Sequence, residues 1–307
     1  MQTKIKVVGV GGSGSNAVSR MAKCRIKGVE LIAINTDAQD LTKSRAHLKL
    51  RIGRKATQGL GTGMNPGIGR KSALENRAEI VEMMKGADMI FITCGLGGGT
   101  GTGASPVIAE VAKESGALTL AVVTTPFSFE GQVRERIAEN GLRYLKEKVD
   151  TLISVSNNKL LSTLSPDISI INAFWICDDT LRQAVQGISD LVTMSGIVNV
   201  DFADVKAIMS SAGTALFGVG RAQGEGRAEK AALSAINSPL LDISIKGAKG
   251  LLFNVSGGKD ISLAEIDEVA RTITQEVNPQ AKIIFGAIQD NRLKKGEIKV
   301  TVIATGF

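Results

Sequence analysis

The residues best suited to chemistry lie in two glycine-rich stretches and two small sets of acids. The first stretch is Gly95-Leu96-Gly97-Gly98-Gly99-Thr100-Gly101-Thr102-Gly103. It stands between an apolar, β-branched run (Met89 to Thr93) and a helical pattern from Ala104 to Ser115. Glycines let a backbone come close to a polyphosphate, and the unpaired N–H groups and positive dipole end of the following helix attract its charge. Thr100 and Thr102 add hydroxyl donors. No Gly-Lys-[Ser/Thr] follows at P-loop spacing, so backbone amides must do most of the binding. A flexible linker would not separate a buried strand from a helix with Pro106 in its first turn and Gly116 at its end.

The second stretch, Gly9-Val10-Gly11-Gly12-Ser13-Gly14-Ser15-Asn16, follows a strand at Ile5 to Val10 and precedes a helix expected from Ala17. It fits G-x-G-x-x-G, and the strand-like run Leu31 to Asp37 ends in an acid near the distance a dinucleotide site requires. Read alone, this describes an NAD-binding enzyme. A further phosphate loop on a later strand is not expected of a simple NAD site, whereas two loops facing one crevice suit a single triphosphate. A third glycine-rich segment, Gly59 to Gly69 with Thr62, Gly63 and Met64, precedes a helix expected over Arg70 to Met84. It is either a surface excursion or a loop that closes over a terminal phosphate.

The remaining polar candidates each have a structural alternative. Glu130 and Arg134 are an i,i+4 pair that either bridges on a helix surface or meets a ribose or phosphate. Phe174 and Trp175 precede Asp178 and Asp179 in a helical stretch. These are core aromatics and first-turn charges, or else Phe174 stacks on a purine while Asp178 accepts from guanine N1–H and N2–H. Asn199, Asp201 and Asp204 fall within six residues; the acids read as a helix cap or as groups that orient a water for attack on phosphate.

The elements that must position these groups alternate: strands near 5–10, 31–37, 89–93, 117–125 and 151–156 are separated by helical patterns, the last over 131–147. Such alternation predicts a parallel sheet covered on both faces, with ligand at the strands' carboxyl ends. A long helix is expected over 168–194, where Leu181, Ala184, Val185, Ile188, Leu191 and Val192 form one apolar stripe, then a helix over 202–211. From about residue 213 glycine-rich phosphate loops cease. Strand patterns near 214–219, 250–255, 281–288 and 297–305 surround helices near 226–236 and 262–276, a smaller α+β domain with a mixed or antiparallel sheet. The expected divisions are 1–167, 168–212 and 213–307.

Composition narrows the classes. A chain of 307 residues with 43% hydrophobic and 22% charged residues is globular, and no apolar segment reaches membrane-spanning length. The sequence enters a strand directly, without a secretory signal, and Cys24, Cys94 and Cys177 lack metal-ligand spacing, which suits the reducing cytosol. His47 is the sole histidine, which excludes chemistry needing several imidazoles. The net charge of +7, with clusters at Lys49, Arg51, Arg54 and Lys55 and at Lys294-Lys295, reads as a solvated basic face. With one Tyr and one Trp there is no aromatic platform for stacked bases, and no nucleic-acid partner is expected.

Together, GVGGSGSNAV, LIAINTDAQ, GLGGGTGTGASPV, PFSFEG, AVQGISDL and NVDFADVKAIM, in that order across nearly the whole chain, resemble the tubulin/FtsZ superfamily. The resemblance implies a Rossmann-like GTPase domain joined by a long central helix to a smaller α+β domain. It implies a cytoplasmic GTPase that polymerises head to tail and builds the bacterial division ring at mid-cell. By position, Gly11, Gly12, Ser13, Gly14, Ser15 and Asn16, with Gly97 through Thr102, would hold phosphates. Asn16, Asn35 and Asp178 would meet guanine under Phe174; Glu130, Arg134 and Asn157 the ribose or α-phosphate; Thr62, Gly63 and Met64 the γ-phosphate. Asp201 and Asp204, supported by Asn199, match the catalytic acids that complete the site of the neighbouring subunit. GTP and GDP are the implied ligands, with Mg²⁺ on the nucleotide and a monovalent cation as further expectations. Leu96, Thr62, Met64 and Trp175-Ile176-Cys177 depart from the family's usual residues, so a polymer that binds nucleotide without hydrolysing it is a third reading. Membrane-adaptor proteins are implied partners, and the terminal peptide that docks them in many relatives is not among these 307 residues.

Overall fold

A computed structural model describes residues 3–24, 26, 28–162, 164, 167–194, 196–238, 244–290 and 292–307. The chain forms two compact units, Met1–Ser189 and Asp190–Phe307.

In the first unit the strands are β1 (Ile5–Val10), β2 (Val29–Asn35), β3 (Leu48–Arg51), β4 (Met89–Gly95), β5 (Leu118–Thr125) and β6 (Thr151–Ser156). They pair in the order β3-β2-β1-β4-β5-β6, every pair parallel. Strands β4 and β5 are buried along nearly their whole length, as their unbroken apolar runs require of a sheet covered on both faces. The helices are α1 (Gly11–Lys23), α2 (Ala38–Lys43), α3 (Arg54–Thr57), α4 (Pro66–Glu75), α5 (Arg77–Met84), α6 (Gly99–Glu114), α7 (Gln132–Lys146) and α8 (Asn157–Ser162). The long helix α9 (Ile170–Thr193) begins here and ends in the second unit. Val8, Ile32, Ile90, Ile92 and Ile108 lie in one buried cluster that joins the sheet to α6.

The order reverses at β1, which lies between β2 and β4. Chain crossovers leave β1 and β4 in opposite directions, so a crevice opens past their carboxyl ends, the usual place for a ligand in a doubly wound sheet. The helices entered there are α1 and α6.

Three local differences from the sequence expectations have identifiable causes. Helix α1 begins at Gly11 rather than Ala17, and α6 at Gly99 rather than Ala104. The glycines are the helices' own first turns, tolerated despite their low propensity because neighbouring backbone approaches too closely for a side chain. At Gly103 an added Cβ would stand 2.0 Å from the Pro66 carbonyl oxygen on α4. The helix expected over 70–84 is two helices divided at Asn76, whose buried amide accepts from Gly53 N–H at 2.8 Å and donates to Glu79 at 2.6 Å.

The second unit contains α10 (Phe202–Met209), β7 (Gly213–Gln223), α11 (Arg227–Ile236), β8 (Gly250–Gly257), α12 (Leu263–Thr274), β9 (Lys282–Gln289) and β10 (Glu297–Thr305). Strand β10 runs antiparallel to both β7 and β8, while β8 and β9 are parallel, so the sheet is mixed. Leu251, Phe253 and Val255 of β8 and Val300 and Val302 of β10 are buried against Ala231 and Ala235 of α11 and Val269 and Ile273 of α12.

Candidate functional site

A cleft of about 500 Å³ in the first unit opens over the carboxyl ends of β1, β4 and β5. Its floor is formed by Val10 to Ser13 and by Gly95, Leu96 and Gly98 to Gly101. These are the strand ends and first turns that begin α1 and α6. Neither helix has a side-chain cap on its first N–H groups or an acid in its first turn. By contrast α2, α4, α10 and α12 are capped by Asp37, Asn65, Asp201 and Ser262, and α5, α7 and α11, which lack a side-chain cap, carry Glu79, Glu135 and Glu229 in their first turns. Two long helices thus bring uncapped N–H groups and positive dipole ends to one cavity, a strong attraction for an anion of several charges. Gly11 (φ 71°) and Gly97 (φ 97°) make the left-handed turns that take the chain from strand to helix.

The walls carry the polar side chains. The hydroxyl of Thr100 lies 2.8 Å from that of Thr36 and 3.3 Å from that of Thr62, linking α6 to the segment Thr62, Gly63 and Met64, which also lines the cleft. Asn16, Glu130, Arg134, Asn157, Phe174, Cys177 and Asp178 complete the lining. Asn157 is buried, and its Oδ1 has no hydrogen-bond partner among the described residues, as expected of an acceptor that waits for a ligand. Glu130 forms an ion pair with Arg134 and accepts from Phe127 N–H at 2.9 Å, so it is held rigidly. Phe174 makes a T-shaped contact with Phe127, ring centroids 5.3 Å apart, and is 41% exposed.

Asp178 accepts from Arg20 Nε at 3.0 Å. Burial pushes its carboxyl up to about 6, and the Arg20 guanidinium opposes that rise. Burial, and then the Asp178 charge, push the neighbouring Cys177 thiol up to about 12, so it stays protonated and is no nucleophile at neutral pH.

Not every expected residue reaches the cleft. Gly14 is pressed against the backbone of Gly9 and Thr93. Ser15 is buried without lining the cavity. Thr102 accepts from Gly97 N–H at 2.9 Å, so this pair ties the loop to its helix and neither residue lines the cleft. Asn35 opens on an adjoining recess with Asp37 and Asp40, its amide already donating to Asp40 at 2.9 Å and accepting from Thr36 N–H at 2.8 Å. Asp37, the acid a dinucleotide site would need on its ribose, caps α2 by accepting from Gln39 N–H and Asp40 N–H. Asn199, Asp201 and Asp204 belong to the second unit and do not line the cleft. There Asp201 and Asp204 form a reciprocal capping box at the start of α10, each accepting from the other's N–H at 2.8 and 3.2 Å. Asn199 accepts from Gly196 N–H at 2.7 Å.

Arg20 and Pro126 are site residues to which the sequence reading gave no role, and Cys177 entered it only as a departure from the family's usual residues. Arg20 had a signal: it stands four residues after Asn16 on the same face of α1.

The family model of the Tubulin/FtsZ family GTPase domain matches residues 4–165, and that of the FtsZ family C-terminal domain matches residues 213–307. Among solved structures, an empty FtsZ dimer from M. jannaschii is 47% identical with a TM-score of 0.95, the alignment covering 100% of this chain and 89% of that one. A W319Y mutant of M. jannaschii FtsZ is 46% identical with a TM-score of 0.94, covering 99% and 91%. CetZ1 from Haloferax volcanii, a GDP-bound monomer, is 18% identical with a TM-score of 0.86 over 99% and 94%, a likeness of fold alone. On the matched GTPase domain, and on the identity held across the full length, this chain belongs to the tubulin/FtsZ family of GTPases.

Proposed function

We propose that this chain binds GTP in the cleft, hydrolyses it to GDP and phosphate, and polymerises head to tail into filaments of a cell-division ring, each site being completed by its neighbour's acids. The observation that carries this reading is the pair of uncapped helix N-termini in one cavity whose only lining acids, among the described residues, are Glu130 and Asp178. The cavity can hold a triphosphate through Gly11, Gly12, Ser13, Gly98, Gly99, Thr100 and Gly101. Both acids are paired with arginines, and on this reading they stand at the ribose and base end of the nucleotide. No lining carboxylate is therefore placed at the terminal phosphate, and the cradle by itself lacks a general base there.

Asp201 and Asp204 are suited to supply one. Each uses an oxygen in the capping box, which fixes its direction, while other lone pairs stay free to accept from water. Presented by the adjoining subunit, they would align water on the γ-phosphate, with Asn199 holding the turn that carries them. At the other end of the nucleotide, Asp178 accepts from guanine N1–H and N2–H, Asn16 borders the base and Phe174 stacks on it. Asn157, Glu130 and Arg134 face the ribose and α-phosphate, and Thr62, Gly63 and Met64 close on the γ-phosphate. A head-to-tail contact of this kind does not close on itself and propagates as a filament. The M. jannaschii dimer and a CetZ2 protofilament from Haloferax volcanii are precedents for association among similar folds. Membrane-adaptor proteins would hold such filaments at mid-cell in the cytoplasm.

Mg²⁺ is a poor fit to the protein itself: among the described residues no group of three or more His, Cys, Asp or Glu could hold a metal. A divalent ion would depend on the phosphates for its ligands.

Replacement of Asp204 by alanine tests the assignment. GTP affinity of the variant should match the parent, while turnover at assembling concentration falls about 100-fold or more, the scale of a lost general base. Turnover equal to the parent's would remove Asp204 from the mechanism.

A further inference from the structure

Between α1 and α9, Arg20, Trp175 and Asp178 form a layered contact at the base-reading end of the cleft. The Arg20 Nε donates to Asp178 Oδ2 at 3.0 Å. Its guanidinium carbon lies 5.6 Å from the centroid of the Trp175 ring. Trp175 is half exposed, whereas Asp178 is buried. The guanidinium is therefore shielded on one side by an aromatic face and bound on the other to the carboxylate. Arg20 sits on the helix whose first turn faces the phosphates, and Asp178 on the helix that carries the base-stacking Phe174.

We infer that Arg20, held in place by Trp175, is the positioning residue that keeps Asp178 aimed and ionised for guanine, and so sets both the base specificity and the acid limit of nucleotide binding. This deepens the GTP-binding reading and rests on it. A carboxylate accepts from both guanine donors only while ionised; once protonated it offers a hydrogen where an acceptor is needed. Burial disfavours the ionised form, and Arg20 is the cation that opposes it. The other charged and titratable groups near Asp178 are few. Cys177 on its own helix stays protonated, Asp179 is tied to Arg182 and Gln183, and Glu130 in the same cleft is paired with Arg134. None of these groups supplies a free positive charge to Asp178. An arginine is required rather than any cation, because its planar fork can stack on indole while it donates in-plane to the carboxylate.

The sign of the pH effect follows. In the parent, affinity for GDP should hold above about pH 6 and fall below it, as the carboxyl takes up its proton. Removal of the cation raises the carboxyl further, so in Arg20→Met the loss should begin at higher pH. Arg20→Lys, which keeps the charge without the fork, should lie between the two. At pH 7.5, preference for GTP over inosine triphosphate, which lacks the 2-amino group, should narrow about tenfold in Arg20→Met, the scale of one charge-assisted hydrogen bond. Trp175→Leu should shift specificity in the same direction by a smaller factor.

The experiment is a titration of GDP, GTP and inosine triphosphate into the parent and the three variants between pH 5 and 8, with circular dichroism to establish that each is folded. A folded Arg20→Met protein whose acid limit and base preference match the parent's would overturn the inference and leave the GTP site standing. A parent that binds none of the three nucleotides would instead overturn the site itself.

Discussion

At the scale of single residues, the proposed reading of the base rests on Asp178, whose buried carboxyl is raised by burial and restrained by Arg20. Its exchange for asparagine turns one of two acceptors into a donor. Asp178→Asn should bind GTP about 10–100-fold more weakly, the scale of one to two hydrogen bonds to a charged group, and xanthosine triphosphate more tightly than GTP. Competition binding with the two nucleotides measures both; an unchanged preference for GTP would mean that another group reads the base. The place of Asp178 beside Phe174 in the cleft was legible in the sequence, because it follows Phe174 by four residues on one helix, which puts ring and carboxylate on one face. Arg20 was not, because its partner lies 158 residues away and only the fold brings α1 and α9 together. Asn35 is the opposite case, named from the sequence and placed outside the cleft. A strand-end asparagine beside a phosphate loop has the right type and place, yet it lines the adjoining recess rather than the cleft and bonds Thr36 and Asp40.

At the scale of elements, the glycines have two duties that the sequence does not separate. Those at the lips of the cleft leave backbone N–H groups open, and those deeper in α6 let α4 approach. Gly103 belongs to the second kind, since a Cβ there would meet the Pro66 oxygen at 2.0 Å and Arg70 N at 2.8 Å. Gly103→Ala should therefore force α4 away and cost about 1–3 kcal/mol, the range for overpacking, read as a lower urea midpoint. A midpoint equal to the parent's would show that the helices yield freely. The long strands were legible as apolar runs between turn residues, whereas β3 was not, because Leu48-Lys49-Leu50-Arg51 is short, half exposed and reads as part of a basic cluster. The helix starts were not, because glycine's poor intrinsic propensity argues for a loop and only close tertiary approach overrides it. The division at Asn76 was hidden for a related reason: what ends α4 is a hydrogen bond to Gly53, 23 residues earlier.

At the scale of the whole molecule, the proposed function divides one reaction between the two units. The first has the cleft proposed to hold the phosphates and the base, and the second has two exposed or half-buried acids fixed in a capping box. The alternation of strands and helices and the change in character near residue 213 made the doubly wound sheet and the smaller mixed sheet legible. The pairing order of β7, β10, β8 and β9 could not be read, because strand neighbours that are distant in the chain leave no local mark. The central claim is that hydrolysis needs two molecules. Its most direct test is GTP turnover per molecule over a dilution series that spans the onset of light scattering. Turnover should be negligible in the dilute range and climb once scattering appears. A rate per molecule that stays constant down to concentrations without assemblies would contradict the account, because one chain would then carry the complete site.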